Sequence, residues 1–101
     1  MLPGGDYHKP LSARLSGLSI GALTLSPGFD PDVAEYAAAT TSATNKVTAT
    51  PEDARAAVAI TVNGAALGNG SAATWSTGEN VVTVTVTNGS LSKAYTVTVT
   101  K

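Results

Sequence analysis

Hydrophobic residues in this chain recur at every second position far more often than at helical spacing. Near the C-terminus, Val82, Val84 and Val86 alternate with Thr83, Thr85 and Thr87. Tyr95, Val97 and Val99 then alternate with Thr96, Thr98 and Thr100. Successive side chains of a strand point to opposite faces, so both runs predict half-buried strands with valine inward and threonine outward. Asn88-Gly89 between them signals a hairpin. A two-residue turn on that pair sets Val84 opposite Lys93. Sliding the pairing by two sets Val84 opposite Tyr95 and Val82 opposite Val97, with a longer loop through Leu91. Both registers keep the valines inward, because only an odd slip flips faces, and the second avoids a poor inward pair.

Upstream the pattern is more broken. Leu15, Leu18, Ile20, Leu23 and Leu25 form short apolar pulses that shift phase at Gly17 and again at Gly21–Ala22. Each shift implies a bulge or a step from one sheet to another. The run SPGFDPD (Ser26 to Asp32) then enforces a corner, with Phe29 and Tyr36 predicted on the same side. Ala34, Tyr36 and Ala38 share one face of a second strand. Val47 and Ala49 mark a short strand ended by Pro51-Glu52-Asp53. Val58, Ile60 and Val62 alternate with Ala57, Ala59 and Thr61, and that strand stops at the tight-turn pair Asn63-Gly64. From Leu67 to Thr77 the pattern is weak and predicts one short strand near Ala72 to Ser76. The total is about seven strands, which predicts an all-β, immunoglobulin-like antiparallel sandwich. Its expected core is Phe29, Tyr36, Ile60, Val62, Val82, Val84, Tyr95 and Val97.

A length of 101 residues allows one domain and no second core. Pro3, Gly4, Gly5 and Pro10 break any regular pattern, so residues 1–12 are expected to form an arm or linker and residues 13–101 the sandwich. A net charge of −1 with 13% charged residues leaves no basic footprint for nucleic acid. No apolar run approaches the ~20 residues of a membrane helix, so no membrane partner is expected. Cysteine is absent, which removes disulfides and thiolate chemistry.

Catalytic chemistry finds few residues to use. Gly17-Leu18-Ser19-Ile20-Gly21 matches G-x-S-x-G, yet no helical pattern follows Gly21 and no histidine follows Ser19 to act as its base. The only histidine, His8, lies in the arm. No catalytic residue, cofactor or metal is therefore expected. Asp30-Pro31-Asp32 with Glu35 reads as a corner, since a hard cation wants six or more oxygens. Glu52-Asp53 reads as a polar turn. Asn69-Gly70-Ser71 and Asn88-Gly89-Ser90 fit the glycosylation pattern but read better as glycine turns. Trp75 is expected in the core by alternation with Ala73, and its alternative is a platform for stacking a carbohydrate. The outward threonines from Thr83 to Thr100 reflect strand propensity, or else form a neutral contact surface. In the arm, Tyr7, His8 and Lys9 are candidate residues for docking on a protein partner.

Several of these stretches, in this order, resemble the bacterial cadherin-like β-sandwich family. They are LSGLSI, LSPGFDPD with the following EY, VTATPEDARAAVAITVNG, TGENVVTVTVT and AYTVTVTK, together covering Leu15 to Lys101. The resemblance implies non-catalytic modules strung along secreted, surface or virion proteins, with F-D-P-D as a structural corner. It also implies an aliphatic core residue where Trp75 stands. MLPGGDYHKP has no apolar signal-peptide core, and a lone module starting at its own methionine reaches the exterior most simply on a virion released by lysis. The expectation is a phage head or tail decoration protein docked through its arm. The alternative is a spacer or adhesion module of a bacterial surface or secreted protein, and a carbohydrate-binding module resting on Trp75 trails both.

Overall fold

Period-two alternation becomes eight strands, and no helix, in a computed structural model that describes residues 11–101. The strands are β1 (Leu15–Ile20), β2 (Glu35–Ala39), β3 (Thr44–Pro51), β4 (Ala57–Val62), β5 (Ala65–Leu67), β6 (Ala72–Thr74), β7 (Glu79–Asn88) and β8 (Leu91–Thr100). They form a three-stranded sheet in the order β1-β3-β6 and a five-stranded sheet in the order β2-β8-β7-β4-β5. Every pairing is antiparallel except β2 with β8, which is parallel. A parallel neighbour needs a long connection, and residues 40–90 supply it by building most of the sandwich in between.

The core lies between the two inner faces. Leu15, Ile20 and Val47 enter it from the smaller sheet, and Val82, Val84, Val86, Tyr95, Val97 and Val99 from the larger, each with no exposed surface. Burying one such side chain contributes about 1.5–3 kcal/mol, so this aliphatic layer is the main stabilising element. Thr83, Thr85, Thr96 and Thr98 face outward and are half-buried among their neighbours, while Thr87 and Thr100 are exposed.

Two expected core members sit differently. Phe29 and Val62 are only partly buried, packed against the core and not within it. Phe29 belongs to the corner outside the strands, and Val62 ends β4 where the sandwich opens toward the Asn63-Gly64 turn. The last hairpin has the preferred register, with Val84 opposite Tyr95 and Val82 opposite Val97. Its loop is shorter than expected, because the ladder continues to Asn88 opposite Leu91 and leaves only Gly89 and Ser90 to turn. Gly89 has a φ of 62°, a conformation a glycine adopts without steric penalty. An eighth strand, β5, was not expected. Its three residues carry no legible alternation and pair only because the Asn63-Gly64 turn folds them back on β4.

The opening stretch divides at both phase changes. The register of β1 shifts between Leu15 and Gly17, the bulge that the first phase change implied. β1 itself stays in the smaller sheet, and the step between sheets comes after it, at the second phase change. The chain leaves the smaller sheet after Ile20 and touches the larger one at Ser26, whose backbone exchanges two hydrogen bonds with Ala37.

Candidate functional site

The SPGFDPD corner is held by two tyrosine hydroxyls. Tyr36 Oη donates to the carbonyl of Asp30 at 2.6 Å and accepts from the Asp30 amide at 3.0 Å. Tyr95 Oη donates to the carbonyl of Pro31 at 2.7 Å and accepts from the Leu15 amide at 3.0 Å. Burial pushes the Tyr95 phenol above its ordinary value. Phe29 stacks on Tyr36 with ring centres 5.9 Å apart, and it lies 6.3 Å from Tyr95. Asp30 Oδ1 caps the turn by accepting from the Asp32 amide, and Asp32 pairs with Arg14 at 3.2 Å. These carboxylates are thus engaged in local turn and ion-pair contacts. Among the described residues no group of three or more histidines, cysteines or carboxylates is placed to hold a metal.

Trp75 is a core residue, only 4% exposed, and its indole Nε1 donates to Asn45 Oδ1 at 2.8 Å. With the ring enclosed and its one donor satisfied, no face is presented to a sugar, which removes the basis for the carbohydrate reading. A tryptophan fits where the family was expected to carry an aliphatic residue because β3 brings Asn45 within reach of the indole.

Chemistry that sequence reasoning missed gathers at the N-terminal pole, where residues 11–14 meet the loop after β3 and the β7–β8 hairpin. Asp53, read as part of a polar turn, is buried at 7% exposure. Its carboxylate accepts from Arg55 Nε and from an Arg55 terminal nitrogen 2.6 Å away, as well as from the Arg55 amide. Asn88 Nδ2 donates both to Asp53 Oδ2 and to the Ser12 carbonyl, each at 3.0 Å. The Arg55 guanidinium holds the Asp53 carboxyl well below the usual carboxylate range. Ser12 Oγ donates to Glu52, and the Glu52 amide donates to the Arg14 carbonyl. The segment leading into β1 is thereby fastened to two loops. Beside it lies an open groove of about 340 Å³, lined by residues 11–14 and 91–93, with Leu11 and Leu91 both 42% exposed. Tyr7, His8 and Lys9, the candidate docking residues, lie outside the described residues.

Both Asn-Gly-Ser stretches are turns whose asparagines are committed. Asn69 exchanges two hydrogen bonds with the backbone of Ala49, and Asn88 is held as above. At the opposite pole Asn80, fully buried, bonds the backbone of Ser76, Gly78 and Val99 as well as Asn63. Asn69 and Asn88 stand beside glycine in the sequence, whereas Asn80 does not, and the partners of these asparagines lie up to 76 positions away.

The larger sheet presents a different kind of surface. Its outer face is built from alanine, threonine and Val81, which is 43% exposed. No curated protein matches the chain. A family model described as the cadherin-like beta sandwich domain matches residues 15–101. That family consists of non-catalytic binding and structural modules, typically extracellular or surface-displayed, and the chain belongs to the cadherin-like β-sandwich domain family.

Proposed function

We propose that this chain is a non-enzymatic structural and binding module carried on an extracellular assembly, and that the assembly is a phage head or tail. The observation that carries the reading is the fastening of residues 12–14 to Glu52 and Asn88. This fastening fixes the start of the described chain beside the exposed Leu11 and Leu91, the point from which a docking arm would act. Tyr7 is the anchor in this reading, since an aromatic residue supplies contact area at low ordering cost. His8 and Lys9 bond acidic groups or carbonyls of the partner subunit.

A second reading is favoured by a separate observation. Residues 11–14 lie at one pole, while Lys101 exchanges backbone hydrogen bonds with Gly78 at the other. A domain with its two ends at opposite poles suits serial connection as a spacer in a bacterial surface protein. Antibodies against the purified domain, applied to cells and released particles of the source organism, separate the two. Label on virions supports decoration, label on the cell envelope supports the spacer, and label confined to the cytosol rejects both.

A further inference from the structure

We propose that the outer face of the five-stranded sheet is a self-association surface, taken by the same face of a second copy of the chain. The pairing register places Thr61, Thr83 and Thr96 side by side across β4, β7 and β8. It places Ala37, Thr98 and Val81 in the adjacent row. Charge appears only at the border, as Glu35 at the end of the first row and Glu79 at the start of β7. None of these inner side chains extends more than two heavy atoms beyond Cβ, so the face has no protruding group, and Val81 is its one exposed large apolar residue.

The chemistry of the face selects its occupant. An ordinary protein surface is about one-quarter to one-third charged, and those charges would lose water against a face that returns no counter-charge. The domain's own alternative surfaces have this defect. Lys46 projects from the outer side of the smaller sheet, and the N-terminal pole carries Arg14, Asp32, Glu52, Arg55 and Lys93. A second neutral face of equal side-chain height costs least to desolvate. A two-fold arrangement supplies that match, with threonine hydroxyls able to bond across it.

Size sets the strength. Five strands about 4.8 Å apart, with about eight residues rising ~3.3 Å each along β7 and β8, give roughly 500 Å² per copy. Two copies bury about 1,000 Å², the lower limit for a specific interface, so a Kd on the order of 10⁻⁴ to 10⁻³ M is expected. Such an affinity is silent in dilute solution and becomes effective where copies are displayed side by side. The inference holds for any assembly that displays the domain.

The test is sedimentation equilibrium of the full chain from about 10 μM to about 1 mM, a range that brackets the expected Kd. Amide NMR shifts are followed over the same range. The expected result is a reversible dimer with concentration-dependent shifts confined to the outward residues of β8, β7 and β4. Val81→Arg and Thr98→Lys, each checked for an unchanged melting profile, should weaken it at least tenfold. A chain that stays monomeric throughout overturns the proposal. So do shifts centred on the N-terminal pole, the smaller sheet or residues 1–10, and so does a dimer that both folded variants retain. The shift map needs no variant, so failure of a variant to fold leaves the proposal exposed to refutation.

Discussion

Asn80 shows how one residue can hold a pole of the sandwich. It has no exposed surface, accepts from Ser76 and Asn63, and donates to three carbonyls. Asn80→Ala strands several backbone groups at once, and stability measured by urea unfolding should fall by about 2–4 kcal/mol. Asp53 makes a different prediction. Its folded-state pKa is depressed, so its contribution is fully present above the ordinary carboxylate pKa, declines below it, and is lost as pH falls through the lower folded-state pKa. Melting temperatures of the parent and Asp53→Asn proteins should therefore differ at pH 6 and converge as the solution is acidified below about pH 3. A difference that stays constant with pH would show that the side chain acts through shape and not through charge. Neither hub was legible in the chain. Asn80 carried no signal of its own before the valine run, and Asp53 in Pro51-Glu52-Asp53 read as a turn residue, because their partners lie elsewhere in the chain.

At the scale of elements, what could be read followed from alternation. β7 and β8 are long, their central inward residues (Val82, Val84, Val86, Tyr95, Val97 and Val99) are apolar, and their pairing was fixed by requiring Val84 to meet Tyr95 and not Lys93. Trp75 could likewise be placed inward by its phase with Ala73. β5 could not be read, since Ala65, Ala66 and Leu67 have no polar partner positions and owe their conformation to the turn before them. The hairpin loop was misjudged for a related reason. The preferred register was expected to loop through Leu91, yet the ladder runs on to Asn88 opposite Leu91, and the buried Asn88 amide is held there by Asp53 and Ser12. Only Gly89 and Ser90 are left to turn. Gly89→Val forces a β-branched residue to a φ of 62°, and a Cβ there would lie 3.1 Å from Leu11 Cδ1. The variant should lose about 1–3 kcal/mol in chemical denaturation while keeping its far-ultraviolet spectrum.

Over the whole molecule, stability and attachment are expected to reside in different parts. Among the described residues the core cluster runs from Ala13 to Val99, and hydrogen bonds tie the leading segment down from Ser12 onward. Removing Met1 to Lys9 should therefore shift the melting temperature by no more than a degree or two, since each kcal/mol moves it by about 4–8 °C in a domain of this size. Added calcium should likewise leave the melting curve unchanged, because Asp30 and Asp32 are already engaged with the turn and Arg14. Attachment should behave in the opposite way. If Tyr7, His8 and Lys9 dock the domain on its assembly, the truncated protein stays folded but no longer co-sediments with particles stripped of the native protein, while the full chain does. Tyr7→Ala alone should remove most of that binding, as truncation of a central aromatic anchor costs upward of 2 kcal/mol, or at least about thirtyfold in affinity. Undiminished binding by the truncated domain would move the docking surface onto the sandwich itself. The groove between Leu11 and Leu91 and the neutral sheet face would then be the two surfaces to mutate next.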